Sequence, residues 1–248
     1  VMGMFASIAS GVALPLADAF ASWRWSLAVW LVPAVFAAPI WLLRRRAPAA
    51  AAPTDAALER PSVWRTALAW RLSLFMGLQS TGFYVLVSWL PSITAAHGAS
   101  HAAGGWYLFG YQVVGLLTGL TVPLVLRRVE AHAAAALVTA PNIVAVVGLA
   151  TAPAGAPLWV VLAGMSSGAS LVMALSLFSL DADDAAHAAA LSGMAQSFGY
   201  LLAAGGPVAA GAVHDAAGSW TPALIGLAAV GALQAAVLIV RRPRVSSR

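Results

Sequence analysis

The chain has no cysteine and no lysine, and only 8% of its 248 residues are charged. Without cysteine there can be no disulfide, thiolate nucleophile or cysteine-ligated metal. A soluble domain carries roughly a quarter charged residues because it needs a wet surface. So few charges, beside 61% hydrophobic residues, imply an outer surface that faces lipid. The formal net charge of +5 is no nucleic-acid footprint either. There is no lysine, and the arginines gather at the ends of apolar blocks rather than along a basic stripe. His97, His101, His132, His187 and His214 fall in gaps or at block ends. His97 and His101 share one loop, but nothing nearby completes a ligand set, so neither a metal nor a cofactor is expected.

What the chain does have is a series of eight long apolar blocks: Met2–Ala19, Trp25–Leu43, Thr66–Leu90, Gly105–Leu126, Ala131–Ala150, Pro157–Leu180, Ala186–Ala210 and Trp220–Val240. About 20 helical residues cross a hydrocarbon core of roughly 30 Å, so each block is a candidate span. The fold class expected is all-α, a polytopic membrane protein with eight transmembrane helices. Arg44, Arg45, Arg46, Arg60 and Arg65 follow block two, Arg127 and Arg128 follow block four, and Arg241, Arg242, Arg244 and Arg248 follow block eight. Arg71 sits just inside block three, near the same side, and snorkelling to the interface is its expected role. The opposite gaps hold a single arginine, Arg24. This alternation puts the arginine-rich gaps and the C-terminus in the cytoplasm, with the protein in the cell (inner) membrane.

The gap 44–65 is rich in alanine and proline and reads as a cytoplasmic linker, with a short helix after Thr54 and Ser62 as the N-cap of the next span. It separates a two-span segment, 1–43, from a six-span segment, 66–248. Since Val1 lies in apolar sequence with no signal-peptide layout, the N-terminus is expected to be truncated. Asp181, Asp183 and Asp184 read as a solvated turn whose carboxylates favour the start of block seven. Small residues recur four apart, at Gly3, Ser7 and Gly11, at Gly115 and Gly119, and at Gly164 and Gly168. In lipid this spacing lets helix backbones approach closely, which points to a compact bundle.

Three stretches carry a family resemblance. Leu191 to Trp220 reads LSGMAQSFGYLLAAGGPVAAGAVHDAAGSW. Block three carries Ala69-Trp70, then Gly77 to Ser80, Phe83-Tyr84 and Trp89 to Pro91, and the turn into block two reads Ser22 to Trp30. In matching order these resemble the eleventh helix, the seventh helix and the helix five-to-six turn of the cyanate/2-nitroimidazole transporter group of the major facilitator superfamily. The chain differs from that group at Ser166-Ser167, where a Gln-Gly pair is common, and at Asp181 and Ala190, where arginines are.

The resemblance implies the last eight helices of a twelve-helix carrier, with a central cavity lined by helices seven and ten and helped by eight and eleven. It implies a secondary transporter working by alternating access, a monomer in the bilayer whose partner is a small polar or anionic solute. Polar residues at membrane depth are then the candidate substrate contacts: Gln79, Ser80 and Tyr84 in block three, Tyr111 and Gln112 in block four, Ser166, Ser167 and Ser170 in block six, Gln196 and Tyr200 in block seven. Amides and hydroxyls donate and accept hydrogen bonds without a fixed charge in hydrocarbon. The same residue types also serve structure: a membrane serine often bonds its own helix backbone, and Gln and Tyr join helices. One other signature competes. Gly164 to Gly168 matches G-x-S-x-G, which would make Ser166 the nucleophile of an intramembrane serine hydrolase. That motif needs a strand-to-helix turn and a histidine within reach, neither of which the sequence offers. A non-transporting membrane subunit is the third reading.

Overall fold

The computed structural model describes residues 20, 22–44 and 63–239. The first apolar block, the expected helix after Thr54, Ser62, and the arginines from Arg241 onward lie outside the described residues. Every regular element among the described residues is helical: α1 (Trp23–Ala28), α2 (Leu31–Arg44), α3 (Ala67–Ala95), α4 (His101–Val125), α5 (Ala131–Leu137), α6 (Ala140–Thr151), α7 (Ala156–Leu180), α8 (Ala185–Ala217) and α9 (Thr221–Ile239).

The helix ends follow local chemistry. The Thr66 hydroxyl caps α3 by accepting from the Ala69 N–H at 3.2 Å. Ser100 caps α4 by accepting from the Ala103 N–H. Glu130 caps α5 with both carboxylate oxygens, on the N–H groups of His132 at 3.0 Å and Ala133 at 2.7 Å. Asp184 caps α8 through the His187 N–H at 2.9 Å, as expected of the aspartate turn. Gly218, at φ +66°, closes α8 in the left-handed conformation that costs glycine no Cβ clash.

Four expected boundaries move. Block two breaks between α1 and α2, and block five breaks into α5 and α6 at Val138-Thr139, just before Pro141. A proline supplies no N–H and suits the first turn of a new helix, so the break falls where the ladder would fail anyway. Conversely, α3 runs through Pro91 to Ala95, and α8 runs through Gly211 to Ala217, because Gly211 faces the Trp89 ring and is held by packing.

Among the described residues, four segments are long and apolar enough to cross a membrane: Ala102–Val125, Ala131–Thr151, Pro153–Leu180 and Thr221–Ile239. The helices α3 and α8, of 29 and 33 residues, have the length. They are less apolar because they carry Arg71, Gln79 and Gln196 and many small residues. The packing pairs α3 with α8 and α4 with α7, while α6 lies against α7 and α9. The α4–α7 seam is the glycine pattern made physical. A Cβ on Gly115 would lie 3.2 Å from the Gly164 carbonyl, and one on Gly119 3.3 Å from that of Gly168.

Two apolar clusters fill the bundle. One, at the Arg127 end, includes Leu72, Phe75, Met76, Met173, Leu177, Leu191 and Leu238. The other, at the opposite end, includes Leu86, Leu90, Val146, Leu149, Val160, Leu224 and Leu227. Between them, along each helix in turn, lie buried polar residues: Gln79 and Ser80 on α3, Ser166 and Ser170 on α7, and Gln234 on α9. A polar belt between two apolar layers is where a midplane site would be built.

Candidate functional site

The largest described cavity, about 560 Å³, sits in that belt. α3 contributes Gln79, Ser80, Phe83 and Tyr84, α4 contributes Tyr111 and Gln112, α7 contributes Ser167, and α8 contributes Tyr200. Gly115, Gly119 and Gly168 form part of its floor, with Leu116, Leu120, Leu171 and Val172 as apolar walls. The structure thus brings seven of the ten candidate residues to one space. That volume suits a small organic solute.

The polar groups are held in defined orientations. The Gln79 side-chain N–H donates to the Ser80 hydroxyl at 2.8 Å, with Met76 Sδ at 3.6 Å. The Gln79 carbonyl oxygen is therefore the face it offers elsewhere. Tyr111, Phe83, Tyr84 and Tyr200 run as a chain of rings. Phe83 stacks on Tyr111 at 6.1 Å, meets Tyr84 edge-on at 5.2 Å, and Tyr84 meets Tyr200 at 6.4 Å. Such ring pairs prefer offset or edge-to-face geometry. Tyr84 and Tyr200 are 40% and 41% exposed, so their faces are open, whereas Tyr111 is buried.

Three candidates lie elsewhere. Ser166 is buried outside this cavity, and its hydroxyl donates to the Val138 carbonyl at 2.6 Å, one of the last-turn carbonyls that the α5–α6 break leaves without a helical partner. That bond is structural. It leaves Ser166 within a continuous helix, so the hydrolase reading of Gly164 to Gly168 has no support. The two glycines serve the α4 seam instead. Ser170, one turn further along α7, is buried too and accepts from the Gln234 amide. Gln196 lines no described cavity; its side-chain N–H donates to the Ser192 hydroxyl at 2.7 Å. Sequence reasoning misses three residues: Phe83, Asn142 and Gln234. Asn142 and Gln234 are lone amides in blocks five and eight, and the criterion that singles out Gln79 would have found them.

A charged cluster closes the Arg127 end. His132 bridges Glu130, through Nδ1 at 3.1 Å, and Asp181, through Nε2 at 3.2 Å. Burial pushes the Asp181 carboxyl above its ordinary range, partly offset by His132 and then Arg71, while Glu130 pushes it further up. Hydrogen bonds from the Ala133 and His132 N–H groups hold Glu130 below the usual range. Arg71 is half-buried and reaches the last described turn of α9. Its guanidinium donates to the carbonyls of Val237 at 2.9 Å and Leu238 at 3.2 Å, capping the end of α9.

A bundle of long apolar helices around a midplane polar cavity defines a multi-pass membrane protein of the transporter kind. The chain belongs to the Major Facilitator Superfamily, whose family model matches residues 1–204. It is 39% identical over 236 residues to the 2-nitroimidazole transporter of Escherichia coli (strain K12), covering 94% of this chain and 60% of that protein. It is 37% identical over 230 residues to an uncharacterised transporter of Bacillus subtilis (strain 168), covering 90% and 56%. It is 26% identical over 201 residues to the cyanate transport protein of Escherichia coli (strain K12), covering 80% and 52%. The chain therefore spans about 60% or less of the length of these relatives. Membership in this transporter family makes the chain a non-enzyme.

Proposed function

We propose that this chain forms the cavity-bearing part of a secondary transporter that moves a small, planar, polar or anionic solute across the cell membrane by alternating access. The observation that carries this reading is the 560 Å³ cavity, in which amides and hydroxyls sit beside an open run of aromatic rings. Rings with exposed faces receive a flat, conjugated solute by stacking, and the amides fix its orientation. The relative named for 2-nitroimidazole transport is consistent with a flat, conjugated solute, and the one named for cyanate transport with a small anionic one.

In this reading α3, α4, the broken pair α5–α6, α7, α8 and α9 make up the C-terminal six-helix half, residues 66–248. Residues 1–43 belong to the other half and 44–65 join the two. The arginine-rich ends and the C-terminus face the cytoplasm, and eight spans are present in a monomer. Transport proceeds as the halves rock about the midplane site. Gln79, Ser80, Tyr84, Tyr111, Gln112, Ser167 and Tyr200 contact the solute, with Ser166 and Gln196 supporting from outside the cavity.

The test is uptake of 2-nitroimidazole and of cyanate by cells expressing the full-length gene product. Tyr84→Ala and Gln79→Ala should each reduce uptake of the transported solute at least fivefold at unchanged membrane abundance. Uptake unchanged in both variants would remove this cavity as the site.

A further inference from the structure

Behind the aromatic wall lies a second space that the transport reading leaves unused. It has about 10 Å³ of room, enough for one water-sized group, and its walls include Gln79, Tyr111, Asn142, Ser166, Ser170 and Gln234. Those side chains come from five helices, α3, α4, α6, α7 and α9. Polar groups gathered this deep cost free energy unless hydrogen-bonded. Part of their capacity is spent locally: Ser166 donates to Val138, and the Gln234 side-chain N–H donates to the Ser170 hydroxyl oxygen at 3.3 Å. Two hydrogens are not spent. Tyr111 is 1% exposed, and its buried hydroxyl has the Ser167 side chain nearby but no hydrogen bond of good geometry. Ser170 accepts from Gln234, which leaves its own hydrogen free to donate. The Asn142 amide nitrogen lies between α3 and α9, 3.7 and 3.9 Å from where Cβ atoms on Gly82 and Gly231 would be, in ordinary van der Waals range.

We infer that this chamber is a specificity subsite of the transport cavity. It takes the hydrogen-bond-accepting substituent of the solute, a nitro or carboxylate oxygen, with Asn142 and Gln234 as positioning residues. The inference rests on the transport reading above. Gln79, Phe83, Tyr111 and Ser167 border both spaces, so a ring seated against Phe83 reaches the chamber through one substituent atom. The volume admits an oxygen and excludes a second ring. Uncommitted hydroxyl hydrogens recognise an acceptor rather than a donor. Gln234 acts at one remove, by holding the Ser170 oxygen and so turning its hydrogen outward. A site built to hydrogen-bond one substituent rejects the analogue that lacks it, because its own polar groups are then left unpaired.

The experiment compares 2-nitroimidazole with imidazole, which lacks the nitro group, in membrane vesicles containing the full-length gene product. Uptake kinetics of 2-nitroimidazole are measured with imidazole as a competitor. The wild type should prefer 2-nitroimidazole. Gln234→Met and Asn142→Leu should each raise the KM for 2-nitroimidazole about tenfold, the loss of one hydrogen bond. Maximal rate, membrane abundance and the affinity for imidazole should stay within about twofold, and Gln234→Asn should recover part of the loss. A KM change equal for both solutes, or none, overturns the subsite while leaving transport intact. Failure of the wild type to take up or be inhibited by either compound overturns the transport reading and the subsite together.

Discussion

Gly168 of α7 lies against the backbone of Gly115 in α4 so closely that a methyl group on Gly168 would overlap the Gly115 carbonyl oxygen. The obstacle is backbone, which cannot rotate away as a side chain can. The same seam forms part of the cavity floor, so its closeness sets the depth of the site. Gly168→Ala should therefore force the two helices apart at a cost of about 3 kcal/mol, the upper end for overpacking. Gly110, on the same helix α4, has nothing within 4 Å of the place a Cβ would occupy. There alanine should be neutral or stabilise by up to about 1 kcal/mol, because helix entropy favours it. Thermal unfolding in detergent distinguishes the two; equal shifts would contradict the seam.

Arg71 holds the end of α9 through two carbonyls. Hydrogen bonds from a charged donor contribute about 1.5–3 kcal/mol, so Arg71→Ala should lower stability by an amount in that range. Arg71→Lys should recover less than half, since a compact ammonium does not reproduce the guanidinium fork. Full rescue by lysine would mean that charge at the interface, not the cap, is what matters.

The Asp181 cluster predicts a pH dependence with a definite sign. Burial raises the Asp181 carboxyl in the folded state. Its favourable contribution is therefore fully present below the ordinary carboxylate range and is lost as pH rises through the raised folded value. Asp181→Asn removes that titration. The stability of the variant relative to wild type should increase as pH rises from the ordinary carboxylate range through the raised folded value. A difference that stays flat, or falls, across this window would show that the His132 contact outweighs burial.

Much of this bundle is legible in the sequence because lipid leaves few choices. Long apolar blocks must be helices, and glycines four apart must be seams; Gly115, Gly119, Gly164 and Gly168 have the spacing of packing residues and lie in one seam. Seven candidates meet in one cavity because polar side chains at similar depth on neighbouring helices converge on any interior space. What escapes depends on rotation about the helix axis. Ser166 and Ser167 are adjacent, yet Ser167 reaches the cavity and Ser166 turns to Val138, about 100° away around α7. Gln196 and Tyr200 share a face of α8, but the shorter amide finds Ser192 first. Arg71 has the sequence position of a snorkelling side chain because the carbonyls it caps are more than 160 residues away in the chain. The breaks at Val29-Trp30 and Val138-Thr139 are hidden inside apolar runs that hydrophobicity alone treats as continuous.

No native thiol of this chain competes with one introduced at the site, and any cysteine elsewhere in the full-length gene product is first replaced by serine. Leu120 borders the cavity and is 68% exposed. Val129 lies in the turn between α4 and α5, outside the cavity. The measurement is the rate at which a water-soluble maleimide labels Leu120→Cys and Val129→Cys in the full-length gene product, with and without 2-nitroimidazole. At about ten times its half-saturating concentration, 2-nitroimidazole should slow labelling at Leu120→Cys about tenfold and leave Val129→Cys unchanged. Equal rates at Leu120→Cys with and without the solute, or equal slowing at both positions, would contradict solute binding in this cavity.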